Sequence, residues 1–191
     1  MLSSRRSRFL GRASEYASVQ DFCNIFHKDM NVLYWLALTL TGDEREAEQC
    51  FIASFEECIT GNSVFKEWAG SWSRRVVIKN AIRLVAPRRD ATRNTAPPDV
   101  LEQPGSQLEA WQVALANLSP FDRFVFVMAV LEGYADLDCV TLLACSPTDL
   151  IQARFRAIQQ VQRAIDLSPA LQEDYGSNLQ QTAVLNDAHA A

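Results

Sequence analysis

Apolar positions along this chain recur at helical rather than alternating spacing. The run Val32-Leu33-Tyr34-Trp35-Leu36-Ala37-Leu38 continues to Leu40 and closes on Thr41-Gly42. Beyond it, Ala47, Cys50, Phe51, Ser54, Phe55 and Cys58 step by three and four residues, which places them on one helix face. Asp43 stands before this stretch as an N-cap, with Glu46 at the third helical position, a variant of the capping box. The pattern predicts a helix over 44–60 with Gly61 as a left-handed stop. A third helix is expected over 64–86. Pro87 ends it, because the residue before a proline is pushed out of the α region. Gly70 inside it costs up to about 1 kcal/mol against alanine.

The pattern breaks over 87–105, where four of the seven prolines fall: Pro87, Pro97, Pro98 and Pro104. A stretch of that composition cannot bury enough apolar surface to offset its ordering entropy, so a linker is expected there. Helical spacing resumes with the capping box Ser106-x-x-Glu109 and a stripe of Leu108, Trp111, Leu115 and Leu118. Ser119-Pro120-Phe121-Asp122 supplies an N-cap, a proline at the first helical position and an acid facing the dipole. The helix it starts is apolar on most sides (Phe124, Val125, Val127, Met128, Leu131) and is expected at the centre of its domain, ending at Gly133. A short helix over 136–144, a tight Cys145-Ser146 turn and a longer helix capped by Ser146-Pro147-Thr148-Asp149 give a helix-turn-helix layout. In the last helix Ile151, Phe155, Ile158, Val161 and Ile165 form the expected buried stripe. Thr148, Gln152, Arg156, Gln159 and Arg163 fall opposite.

The expected fold is therefore all-α, with two small helical domains joined by a proline-rich linker. The divisions are a basic N-terminal arm (1–18), a helical domain (19–86), the linker (87–105), a helix-turn-helix domain (106–167) and a polar tail (168–191). The 191 residues, 48% hydrophobic and 21% charged, fit ordinary globular composition. No apolar run approaches the roughly 18 residues of a membrane span, and Arg5, Arg6, Arg8 and Arg12 are not followed by the apolar core of a secretory signal. The five cysteines contain no C-x-x-C pair and sit mostly in apolar patterns, as reduced thiols of a cytoplasmic protein do.

Charge changes this picture. The net charge of -5 divides into +3 over 1–93 (14 Lys and Arg against 11 Asp and Glu) and -8 over 94–191 (4 against 12). Nucleic-acid contact is expected to concentrate in the first half.

Three faces are candidates for function. On the third helix Trp68, Trp72, Arg75, Lys79 and Arg83 line up at four- and three-residue steps, with Arg74 beside them. Rings that stack on unpaired bases and cations that meet phosphates suit single-stranded DNA; a packed core with a solvated basic edge is the plainer reading. On the last helix Thr148, Gln152, Arg154, Arg156 and Gln159 could reach base edges and phosphates in a major groove. On the second helix Arg45, Glu48, Gln49, Ile52, Ala53 and Glu56 place two apolar residues among charges, as a protein-binding patch would. No Gly-rich phosphate loop, H-E-x-x-H or G-x-S-x-G is present, so neither catalysis nor a cofactor, metal or small-molecule substrate is expected.

Taken in order, these residues resemble a family. Leu33-Tyr34-Trp35-Leu36-Ala37-Leu38-Thr39-Leu40-Thr41-Gly42-Asp43, then Glu46-Ala47-Glu48 and Phe55, resemble region 2 of the extracytoplasmic-function sigma factors of bacterial RNA polymerase, within the sigma-70 family. Phe65-Lys66-Glu67-Trp68 resembles the entry to that family's promoter-melting helix, and Lys79-Asn80-Ala81 a motif further along it. Leu115-Ala116-Asn117-Leu118-Ser119-Pro120 with Arg123, then Leu131-Glu132-Gly133-Tyr134, resemble region 4, and Cys145-Ser146 and Arg156-Ala157 fall where its recognition helix begins and continues. The resemblance spans about 20–165. It implies a divergent sigma-like initiation factor whose partners are core RNA polymerase and promoter DNA, with an anti-sigma regulator as a further candidate. The second helix would dock on polymerase. The third helix and the loop Thr60-Gly61-Asn62-Ser63 would hold the opened promoter, and the last helix would read the upstream element. Gln49, Ile52 and Ala53 stand where the family pattern has Asp, Gln and Glu, and Ile151 and Ala153 where it has basic residues. The alternative is a degenerate sigma fold that binds polymerase or a regulator without reading DNA.

Overall fold

A computed structural model of the chain describes residues 15–61, 63–87 and 107–166, with side chains from 111 onward in the last stretch. The described residues are mostly helical, and among them only an isolated bridge between Tyr16 and Phe65 pairs extended segments. The chain divides into two compact units, Met1–Arg88 and Arg89–Ala191. The division falls within the expected linker, most of which lies outside the described residues, as do the basic arm up to residue 14 and the polar tail.

The first unit holds α1 (Val19–Lys28), α2 (Met30–Thr41), α3 (Glu44–Thr60) and α4 (Ala69–Val85). Each boundary has a local cause. Ser18 and Asp21 close a reciprocal capping box on α1. Gly42, at φ 73°, ends α2 in the left-handed region. Asp43 accepts a hydrogen bond from the Glu46 backbone N–H at 2.9 Å, and α3 takes the expected bounds. Gly61 departs from expectation: it is extended, at φ -82°, rather than left-handed. A side chain there would run into the Glu57 carbonyl oxygen, so close approach is what requires glycine. The expected third helix divides into a 3-10 turn, Lys66–Trp68, followed by α4. Gly70 sits within α4, and Ala86, at φ 44°, turns the chain toward Pro87.

Leu33, Leu36, Ala37 and Leu40 of α2 meet Ala47 and Cys50 of α3 and Val76, Val77, Ile78 and Ala81 of α4 in the buried core of this unit. Phe51 and Phe55, expected in the buried stripe of α3, are only half-buried, and their rings meet the edge of buried Phe26 of α1.

The second unit holds α5 (Gln107–Ala116), α6 (Pro120–Phe126), α7 (Asp136–Leu143) and α8 (Pro147–Asp166). The Ser106 cap expected for α5 lies outside the described residues. Ser119 Oγ accepts from the Asp122 N–H at 3.1 Å, with Pro120 at the first position of α6. Every residue from Pro120 to Met128 is buried, which makes α6 the centre of the unit. Leu131 is an exception to the expected core. The chain continues α6 as a π turn over Val127–Leu131, whose changed register leaves Val130 and Leu131 exposed before Gly133. Gly133 and Ala144, at φ 67° and 49°, carry the two bends on either side of α7. Ser146 caps α8 by accepting from the Asp149 N–H and donating to its carboxylate.

The largest correction concerns α8. Its buried face is Leu150, Ala153, Ala157 and Val161, while Ile151, Phe155 and Ile158 point outward. Two alanines let α8 lie close against α6, a fit that isoleucine or phenylalanine would prevent.

Candidate functional site

The six residues proposed for a protein contact, Arg45, Glu48, Gln49, Ile52, Ala53 and Glu56, are all exposed on one face of α3. The opposite face buries Ala47, Cys50, Ser54 and Cys58 against the other helices. Ile52 is 57% exposed, an apolar side chain ringed by Glu48, Gln49 and Glu56. A small apolar centre with a charged rim is the anatomy of a docking patch.

The stripe on α4 divides into two parts. At its start Trp68 is 57% exposed. It packs edge-on against Phe65, which stacks on Tyr16 at a ring separation of 4.7 Å. This short aromatic stack presents one indole to solvent. Trp72 and Arg74 are half-buried and Arg75 is exposed. At the far end the cations are engaged. Lys79 Nζ lies 2.8 Å from Glu57 Oε1, and Arg83 Nη1 lies 2.9 Å from Glu57 Oε2. Asn80 Nδ2 donates to both Glu57 Oε2 and Ser54 Oγ, and Arg83 donates to Asn80 Oδ1. Burial alone would raise the Glu57 carboxyl, but the two cations outweigh it and hold its pKa below the ordinary value. The basic end of the stripe is thus a tie between α3 and α4, with Lys79 and Arg83 still about half exposed. Asn62 lies outside the described residues.

On α8 both arginines of the candidate set are likewise engaged within the unit. Arg154 forks onto Asp136 of α7 at 2.7 and 3.3 Å. Arg156 forks onto Asp122 of α6 at 2.7 and 3.2 Å. Hydrogen bonding to Asp122 raises the Arg156 pKa, against the opposing effect of burial. Thr148, Gln152 and Gln159 are exposed, and beside them runs the apolar line of Ile151, Phe155 and Ile158. Sequence reading missed these pairings because the partners are 18 and 34 residues away, with no local signal.

Burial drives the thiols of Cys50, Cys58 and Cys139 up to about 11. No group of three or more His, Cys, Asp or Glu side chains among the described residues could hold a metal ion, and no described helix is long and apolar enough to cross a membrane. No family model, curated protein or solved structure matches the chain.

Proposed function

We propose that this chain is a sigma-like transcription initiation factor that binds core RNA polymerase through α3 and meets opened promoter DNA at the Trp68 end of α4. The observation that carries the reading is the exposed α3 face centred on Ile52, built where the resemblance puts polymerase docking. The exposed Trp68 indole supports the second part, because base stacking on such a ring contributes about 1–3 kcal/mol per base. In this reading Arg75, Lys79 and Arg83 hold the backbone of the captured strand, and polymerase supplies the chemistry and its metal. The test is transcription by polymerase reconstituted with the full chain, followed by mapping of start sites. Defined starts that depend on the chain support the proposal, and their absence despite polymerase binding contradicts it.

A second reading is favoured by α8. Arg154 and Arg156 are paired internally, its unit carries the acidic half of the charge, and its outward face is partly apolar. Such a helix suits a protein partner better than phosphates, so the chain would bind polymerase or a regulator without reading DNA. Binding to core polymerase with no promoter-directed transcript would favour this reading over the first.

A further inference from the structure

The outward face of α8 carries Ile151, Phe155, Ile158, Gln162 and Ile165 at steps of four, three, four and three residues. That is the seam of a heptad repeat, separate from the Leu150, Ala153, Ala157 and Val161 face that α8 buries in its own unit. Ile151, Phe155 and Ile158 are 55%, 62% and 41% exposed. A groove of about 350 Å³ lies along the C-terminal half of the seam, between Ile158 and Ile165 on one side and Trp111, Phe126 and Val130 on the other. At the N-terminal half the Arg154–Asp136 pair holds the first turn of α7 beside the seam, and Leu137 in that turn is 77% exposed.

We infer that this seam is a self-association surface, and that its occupant is the α8 seam of a second copy of the chain. Two observations choose that occupant. The first is charge: Gln152, Gln159 and Gln162 line most of the seam and its edges, Arg154 and Arg156 are neutralised by Asp136 and Asp122, and the C-terminal end adds one charge of each sign, Arg163 and Asp166. Nucleic acid finds few available cations there, and a second copy of this acidic unit meets no row of like charges across the contact. The second is area. With about 200 Å² for a whole residue of this size, the exposed parts of Ile151, Phe155, Ile158, Val130 and Leu137 come to roughly 550 Å² per copy. A standard stable interface takes about 800 Å² per partner. The shortfall makes the dimer weak and reversible, with a dissociation constant in the micromolar range. A closed two-fold pairing places the same seam on both copies and needs no second surface. It covers the side of α8 next to Thr148, Gln152 and Gln159, so only the monomer offers that helix to another macromolecule. The inference goes beyond the proposed function, since it requires neither polymerase nor DNA.

Sedimentation equilibrium of the full chain from about 1 to 100 µM tests it. The expected result is a monomer–dimer equilibrium. Phe155→Glu and Ile158→Glu each raise the dissociation constant at least tenfold, with helical content and melting temperature unchanged. Gln162→Leu lowers it several-fold by completing the apolar seam, a gain that misfolding cannot mimic. Val19→Glu, at an exposed apolar residue of α1, leaves it unaltered. A chain that stays monomeric throughout overturns the inference, as does a dimer insensitive to both glutamate variants. Monomers that instead take up an amphipathic helix of core polymerase at this seam also overturn it and assign the surface to polymerase.

Discussion

Arg156 of α8 grips Asp122 of α6 through two hydrogen bonds across 34 residues of sequence, and the carboxylate it holds is only 11% exposed. The pair fastens the last helix to the centre of its unit. It also occupies a guanidinium that the sequence pattern offers to DNA.

Arg156→Gln is therefore expected to act on stability. It strands a nearly buried carboxylate, at a cost of about 2–3 kcal/mol. Arg156→Lys recovers only part of this, because an ammonium cannot reproduce the two-pronged contact. Chemical denaturation followed by circular dichroism measures both. A DNA-contacting role without a structural one would instead leave stability intact and lower the salt dependence of DNA binding by about one charge.

The Glu57 tie gives the first unit a pH dependence whose sign follows from its lowered pKa. Its contribution is complete above the ordinary value of 4.5 and is lost as the pH falls through the lower value of the folded state. Because Lys79 and Arg83 are about half exposed, that contribution is about 1 kcal/mol. Glu57→Gln is expected to lower stability by that amount at pH 7 and to flatten the acid side of the melting-temperature profile. The variant also leaves Lys79 and Arg83 without a counter-charge, so its affinity for single-stranded DNA rises at low salt.

Trp68 exposes its indole without closing the core. Trp68→Ala is expected to leave the melting temperature nearly unchanged and to weaken single-stranded DNA binding by about 1–3 kcal/mol. Fluorescence titration with a short oligonucleotide reads the second effect, and quenching of the Trp68 emission accompanies binding in the parent chain.

The thiols divide by burial. Cys50, Cys58 and Cys139 are fully enclosed and neutral at pH 7, whereas Cys23 and Cys145 are partly exposed. Iodoacetamide at neutral pH is expected to label the latter two in the native chain and all five after denaturation. Mass spectrometry of digests distinguishes the sites.

Helix ends were the most legible feature, because they depend on neighbouring residues. Asp43 as N-cap, Gly42, Gly133 and Ser119-Pro120-Asp122 act where the pattern places them, though no reciprocal bond from the Glu46 side chain completes the expected box at Asp43. The Ser18–Asp21 box was equally local, and the helix it starts could have been read from it. Face assignment was less legible. On α3 charges flank Ile52 and mark the outer side, but on α8 large apolar residues suggest the wrong core stripe. There packing selects the small residues Ala153 and Ala157, since helix approach distance is a tertiary property. The ion pairs of Glu57, Arg154 and Arg156 lie beyond any local rule, and they change which cations the candidate site can offer.

The most direct test of the account is the affinity of the full chain for core RNA polymerase, measured by fluorescence anisotropy beside Ile52→Glu. The account predicts a saturable complex that Ile52→Glu weakens at least tenfold while the fold is retained. A chain that fails to bind core polymerase at micromolar concentration, or binds it equally well with Ile52→Glu, contradicts it.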